Sequence, residues 1–265
     1  MNPYTNFAVA SYSFHGLLSI GAIDIFGYLE TVKYRYGLNT ADIWNGFLTS
    51  YDRGYINILK QGIDERGLTV VNLCCDDAHV WDNDPETMRQ NEETAWKCIE
   101  AAEIIGAKTI RIDAGVVEKE LSEEQIDFVS KKYRAYCQRA ATFGAKLGTE
   151  NHWGATRRIE NVKKIFDAVG EENFGLLLHL GNWDTENQNQ KDINDLEMID
   201  RAMHIHIDYP HAQDAERVLP PLQRKGYSGC WNVESHFSTN EYNNVAFQLA
   251  NVRRVICPMN YGKVI

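Results

Sequence analysis

Eight short apolar or β-branched runs recur along the chain at nearly even intervals, and this rhythm constrains the fold more than any other feature. The runs are Phe7–Ser11, Thr40–Trp44, Leu68–Cys74, Ala107–Ile112, Lys146–Glu150, Phe174–His179, Met203–Asp208 and Gly229–Glu234. Their starts lie roughly 25 to 40 residues apart, the length of one strand–helix unit. The intervening stretches carry helical signals. Residues 23–36 place Ile25, Phe26, Leu29, Val32 and Tyr36 at helical spacing. Asp84 followed by Pro85 opens a helix over 85–105 that Gly106 ends. Ser122 with Gln125 three residues on reads as a capping box. Gly37, Gly67, Gly106, Gly144 and Gly226 each stand between a helical pattern and the next run, the place of a helix C-cap. This alternation predicts a parallel sheet. The 265-residue length matches the roughly 250 residues of an eight-stranded barrel. An open doubly wound sheet is the competing architecture, but no G-x-G-x-x-G follows the first run. No Pro-, Gly- or Ser-rich linker divides the chain, so the expectation is an α/β fold: a single (β/α)8 TIM barrel over residues 1–265.

Charge and cysteine usage narrow the functional classes. The formal net charge is −10 and no basic run exceeds a pair, which argues against a sequence-independent hold on nucleic acid. No apolar run approaches 18 residues and the first basic residue is Lys33, so neither a membrane span nor a secretory signal is expected. The six cysteines form no C-x-x-C pair and read as reduced thiols. A cytoplasmic protein is the default expectation.

In a (β/α)8 barrel the C-terminal strand ends face the active site. The polar residues there are Ser13 and His15 after strand 1; Asp42, Trp44 and Asn45 at strand 2; Asp76, Asp77 and His79 after strand 3; and Arg111 and Asp113 at strand 4. Glu150, His179, His206 and Glu234 end strands 5 to 8 at separations of 29, 27 and 28 residues. Equivalent positions on successive strands converge at the barrel mouth. Carboxylate with imidazole suits Mn²⁺, Fe²⁺, Co²⁺ or Zn²⁺ and leaves positions open for substrate oxygens. Glu150 and Glu234 lie in apolar contexts, where a buried carboxylate needs a partner. Pairing with Arg111 would explain one of them. His204 reads better as a hydrogen-bonded core residue, and His206, nearer the strand end, as a ligand. Trp44, Trp81, Trp153 and Trp183 follow predicted strands. Their faces suit a sugar, with two of the four expected in the core.

The segments Ala-Ser-Tyr-Ser-Phe-His (10–15), Thr-Ala-Asp-Ile-Trp-Asn (40–45), Thr-Glu-Asn-His-Trp-Gly (149–154), His-Leu-Gly-Asn-Trp (179–183), His-Ile-His-Ile-Asp (204–208) and Asn-Val-Glu-Ser (232–235) appear in order along nearly the whole chain. Together they resemble the sugar phosphate isomerase/epimerase family of xylose isomerase-like TIM barrels, which includes ketose 3-epimerases, C-glycoside deglycosidase large subunits and endonuclease IV. The resemblance implies one divalent metal, manganese first, held by Glu150, His179, His206 and Glu234. The family usually has Asp where His179 stands, so the donor set here carries one negative charge fewer and favours a transition metal. Ketose epimerase relatives also carry a Glu at the position of Thr156 and a His at that of Asn182.

The activity implied is isomerisation or epimerisation of a sugar by proton transfer beside a carbonyl, through a metal-stabilised enediolate. Glu150 and Glu234 would exchange the proton, with His152 as a further catalytic base. His15, Trp44, Arg111, Asn182 and His236 are the candidate substrate-binding residues. Two alternatives stay open: a metal-dependent lyase or deglycosidase acting on 3-keto-glycosides, and a metal-free carbohydrate-binding barrel. The partner expected is a small sugar, with neither nucleic acid nor membrane. A homo-oligomer or a small partner subunit is compatible with the sequence.

Overall fold

The computed structural model describes residues 7–257. Eight parallel strands run through it: β1 (Phe7–Val9), β2 (Thr40–Trp44), β3 (Thr69–Cys75), β4 (Thr109–Ile112), β5 (Lys146–Glu150), β6 (Phe174–His179), β7 (Ala202–Ile207) and β8 (Trp231–Val233). They are hydrogen-bonded in the order β1-β8-β7-β6-β5-β4-β3-β2. The remaining seam, between β1 and β2, is joined by a parallel bridge from Ala10 to Asp42. The Thr40 hydroxyl donates across it to the Phe7 carbonyl. The buried Tyr28 hydroxyl donates to the Val9 carbonyl at 2.7 Å and accepts the Asp42 N–H at 2.9 Å. The sheet is thereby wrapped into a TIM barrel, and the open-sheet alternative is excluded.

The helices form where their end signals sit. Asp84 caps the helix Pro85–Ile105 by accepting the Thr87 N–H, and Gly106 ends it at φ 74°, a conformation costly for any residue with a Cβ. Ser122 and Gln125 make the reciprocal capping box of the helix Glu123–Ala141. Gly37, Gly67, Gly144 and Gly226 likewise take positive φ. Residues 23–36 differ from expectation. A regular helix covers only Ile25–Glu30 and widens into a π-turn over Thr31–Arg35. That extra residue per turn carries the chain into Gly37 and lets Tyr36 reach the Tyr242 carbonyl at 2.9 Å.

Alternation along the strands divides two environments. Outward residues such as Leu147, Leu176, Leu178 and Ile205 are fully buried under the helices. Each such side chain contributes about 1.5–3 kcal/mol of burial energy. Inward residues are far more polar and include Asp42, Asn72, Arg111, Glu150, His179, His204, His206 and Glu234, all buried. Polar groups placed at such cost in a barrel interior mark where its chemistry sits. Among the described residues no helix is long and apolar enough to cross a membrane. Cys74, Cys75, Cys98 and Cys137 are buried thiols.

Candidate active site

The ends of β5 to β8 are fixed by side chains that bridge neighbouring strands. Asn151 donates to the His179 carbonyl at 2.8 Å and accepts the His179 N–H at 2.7 Å, locking β5 to β6. Gln248 donates to the carbonyls of Glu234 (2.8 Å) and Ile207 (3.2 Å), holding β7 and β8 together. His179 and His206 lie directly opposite each other in register. After His179 the chain turns tightly at Gly181, whose N–H donates to the buried Asp195 carboxylate at 2.9 Å. The Trp183 indole donates to the same group at 2.7 Å. Burial holds that carboxyl up at about 7, with both hydrogen bonds pulling it down.

The four strand-end residues singled out in the sequence meet at the barrel mouth. Glu150 Oε1 lies 3.1 Å from His179 Nδ1, which lies 3.7 Å from Glu234 Oε2. Glu234 Oε2 is in turn 3.1 Å from His206 Nδ1. Ligand atoms held about 2.0–2.2 Å from a common ion sit about 2.8–3.6 Å apart. The two 3.1 Å separations fall within that range, and the 3.7 Å one lies just beyond it. Glu150, His179 and His206 form one cluster able to hold a cation; His179, Glu234 and His236 form another that shares His179 with it.

Asp42 governs how His206 presents itself. Its Oδ2 lies 2.9 Å from His206 Nε2 and 3.0 Å from His204 Nε2. His204 is thus a buried partner of Asp42, beneath the strand ends. Burial pushes the Asp42 carboxyl up, but His204 and His206 outweigh it and hold it below the usual carboxylate range. With its Nε2 proton donated to Asp42, neutral His206 would turn a bare Nδ1 toward Glu234 Oε2. Two acceptors at that distance in a buried site need a cation between them, a proton or a metal ion. Where no metal ion binds, a proton would fill the gap. Burial opposes the imidazolium, but the Glu234 charge and the Asp42 hydrogen bond raise the His206 pKa well above its ordinary value.

The opposite side of the mouth is organised by Arg111. Its Nη1 donates to Asp76 at 2.7 Å and to Asp113 at 3.0 Å, and its Nε faces Glu150 Oε2 at 3.1 Å. The ion pair foreseen for one of the two glutamates is therefore with Glu150. Asp113 also holds His152 Nδ1 at 2.9 Å. Burial disfavours the His152 cation, yet the Glu150 charge and the Asp113 bond raise its pKa to about 9. Both effects favour the protonated form of the imidazole.

A cavity of about 160 Å³ opens between these two groups, lined among others by Tyr12, Trp44, Arg111, His152 and His236. Trp44 is fixed by its indole N–H to Asp76 at 2.6 Å and meets the Tyr12 ring edge-on at 5.0 Å. His236 Nε2 stands 3.2 Å from Glu234. Two of the expected substrate-binding residues lie outside the lining. The Asn182 amide is spent on the carbonyls of Asn151 and His152, both at 2.8 Å. His15 stacks under Tyr12 at 4.6 Å and bonds its carbonyl. Thr156 turns its hydroxyl back to the Trp153 carbonyl. Of the four tryptophans, Trp44 lines the cavity, Trp183 is buried and Trp153 packs edge-on against His79. Asp42, Asp76 and Asp113 stand at strand ends in the sequence, and only the structure gives them partners. Tyr12 and Asn151 carry no charge or ligand signal in the sequence, although both lie within segments that carry the resemblance. Wider clefts near Arg35 and Tyr242, of about 600 and 630 Å³, lie outside this cluster.

A parallel eight-stranded barrel with carboxylates and imidazoles converging at its C-terminal mouth defines the class of α/β-barrel proteins, in which that end of the barrel carries the active site. The chain belongs to the xylose isomerase-like TIM barrel family, whose model matches residues 33–245. Its fold is similar to that of the apo form of 3-keto-D-glucoside 4-epimerase from E. coli, at 17% identity and TM-score 0.74, covering 94% of this chain and 99% of that one. It is also similar to D-psicose 3-epimerase with D-tagatose from Clostridium cellulolyticum H10, at 13% identity and TM-score 0.71, covering 95% and 99%. The IolI protein with a bound zinc atom superposes at 14% identity and TM-score 0.71, covering 95% and 98%. Comparison with curated proteins returned no match.

Proposed function

We propose that this barrel is a divalent-metal-dependent isomerase or epimerase that moves a proton beside the carbonyl of a sugar. The observation that carries the reading is the run of donor atoms from Glu150 through His179 and Glu234 to His206, spaced 3.1, 3.7 and 3.1 Å. Glu150, His179, His206 and Glu234 would hold a transition metal such as Mn²⁺, Fe²⁺, Co²⁺ or Zn²⁺. When bound, it would supply Lewis-acid polarisation of the substrate carbonyl. Glu150 and Glu234 both approach the same His179 nitrogen and both line the cavity that a sugar would enter. One carboxylate takes the proton from the carbon next to the carbonyl and the electron pair moves onto the carbonyl oxygen. Return of a proton to the other face or to the neighbouring carbon completes epimerisation or isomerisation. Trp44 and Tyr12 offer flat faces to the sugar's C–H groups, and Arg111 keeps Glu150 ionised.

Elemental analysis of protein purified without chelator or histidine tag, followed by exchange of sugar C–H protons in D₂O, tests the proposal. About one transition metal per chain with exchange at a carbon next to the carbonyl is expected. Absence of metal after incubation with each ion would overturn it in favour of a carbohydrate-binding barrel. Asp42→Asn is expected to weaken metal binding by about 10–100-fold, as loss of such a supporting carboxylate does. Chelator competition reads this directly, and unchanged affinity would deny Asp42 its orienting role.

A second reading draws on His152. A protonated imidazole held by Asp113 at the cavity wall is placed to protonate a departing oxygen. On a 3-keto-glycoside, a glutamate would take the C2 proton. The C–H pair would form the C1–C2 double bond as the C1–O bond broke, and His152 would protonate the leaving alcohol. Release of that alcohol distinguishes elimination from epimerisation.

A further inference from the structure

One buried carboxylate near the barrel mouth belongs neither to the donor set nor to the Arg111 network. Asp195, on the helix Gln188–Met198, is 2% exposed. Its Oδ2 accepts the Gly181 N–H at 2.9 Å and its Oδ1 accepts the Trp183 indole N–H at 2.7 Å. Both donors are neutral. Burying a carboxylate against neutral donors is costly, and an apolar residue at this position would fill the space without that cost. The charged groups around Asp195 are turned to other partners. Arg217, on the helix Ala215–Arg224, lines the same small cleft but bonds Asp192 and Asp214. His211, on the helix Tyr209–Gln213, holds Asp208 through its Nδ1. Burial therefore pushes the Asp195 carboxyl up to about 7, with Asp192 adding to the rise and the Trp183 and Gly181 bonds and His211 opposing it.

Both of its bonds run to the turn that leaves His179. In that turn the Leu180 N–H donates to the His206 carbonyl at 3.1 Å and the Asn182 N–H to the His179 carbonyl at 3.2 Å. The Asn182 amide reaches back to the carbonyls of Asn151 and His152, and Asn151 holds both backbone groups of His179. Gly181 takes φ 69°, and a Cβ there would come within 2.4 Å of His211 Nε2. The turn is thus confined by His211 and pulled by Asp195, and a shift in it moves the backbone from which His179 projects. The carboxylate uses one oxygen for each donor. Protonating either oxygen makes it a hydroxyl that faces an N–H, so one of the two bonds must weaken.

We infer that Asp195 is a positioning residue for the cation site: ionised, it clamps the turn at Gly181 and Trp183 and so seats His179 beside Glu150, His206 and Glu234, and on protonation it releases one of the two. This rests on the metal-dependent reading above and adds to it a residue that touches neither cation nor substrate.

The test measures Co²⁺ affinity by chelator competition on the parent protein and on Asp195→Asn, at about pH 8 and about pH 6. The amide keeps the shape but carries no charge and offers one acceptor oxygen in place of two. At the higher pH the variant is expected to bind about tenfold more weakly, the lower end of what supporting groups contribute because Asp195 acts through the backbone. At the lower pH the parent's own carboxyl is mostly protonated, and the gap should close to less than about threefold. Protonation of the histidine ligands weakens both proteins and cancels in the ratio. Equal affinities at the higher pH overturn the inference. So does a gap of the same size at both pH values, the result a purely structural carboxylate would give. Either leaves the metal-dependent reading standing, whereas no uptake by the parent removes that reading and the seating role with it. A second measurement needs neither metal nor a substitution at Asp195. In metal-free protein labelled with ¹⁵N-tryptophan, the Trp183 indole signal, assigned by its absence in Trp183→Phe, should shift with a midpoint near pH 7. A signal that stays fixed between about pH 5.5 and about pH 8.5 overturns the clamp.

Discussion

Glu150→Gln and Glu234→Gln are each expected to lower proton exchange by at least about a thousandfold, within the range that positioned acid–base groups supply and near its upper end because each glutamate also serves as a ligand. The substitution keeps the shape and one acceptor oxygen but removes the charge and the proton-accepting capacity. At Glu150 it also takes away one of the carboxylates facing Arg111, while Asp76 and Asp113 still neutralise the guanidinium. At Glu234 it strips the anion from His206 Nδ1, His179 and His236 together. Metal content should therefore fall in both variants, and more steeply in the double variant. Exchange kinetics with elemental analysis on the same preparations make the check. A Glu234→Gln protein that keeps full turnover would remove Glu234 from the mechanism. One that keeps its metal but loses turnover would make Glu234 a proton carrier rather than an essential ligand.

The part of this site that was legible in the sequence is the part with a local signal. Glu150, His179, His206 and Glu234 each end a run of alternating or β-branched residues, and one strand–helix period separates each from the next. Period and position suffice to bring them to one mouth, and the same rhythm yields all eight strands. Strand ends were less exact. β1 stops at Val9 rather than Ser11 because the chain enters a tight 3₁₀ turn at Ser11–Phe14, where the Ser11 and Ser13 hydroxyls bind the backbone of Trp44 and Ser235. What the sequence could not display is pairing across the barrel. Asp42 meets His204 and His206 at separations of 162 and 164 residues, and no local pattern ties them together. Asp76 and Asp113 gain their roles only because Arg111 lies between them. His15 and Asn182 had the right residue types at strand ends but are turned to stacking and backbone contacts. The π-turn at Thr31–Arg35 was hidden because its apolar residues still recur at helical spacing.

Arg111→Met is expected to destabilise the fold by about 3–5 kcal/mol near neutral pH, the cost of removing one partner from a buried ion pair. Methionine fills much of the same volume without charge, so the loss is electrostatic rather than a cavity. Asp113 is left buried without its main cation, Glu150 loses one of its cationic partners, and Asp76 loses its 2.7 Å contact. The pH dependence separates this cause from simple repacking. Burial pushes the Asp113 carboxyl up, but Arg111 and His152 hold it below its ordinary value. Glu150 is likewise held down, against burial, by His152, Arg111 and His179. A carboxyl whose folded pKa is depressed stabilises the fold above its unfolded pKa, near 4, and that contribution fades as pH falls toward the folded value. Arg111→Met forfeits much of this contribution. Its deficit against the parent protein should be largest at pH 6–8 and should shrink as pH drops below about 4, where the exposed carboxylates of the unfolded chain are protonated too. Denaturant melts at matched pH values give the difference directly. A deficit that stays constant across that range would mean that Arg111 supports the mouth through packing of its stem alone. The charge network joining Asp76, Asp113 and Glu150 would then not be what fixes β3, β4 and β5 around the cavity.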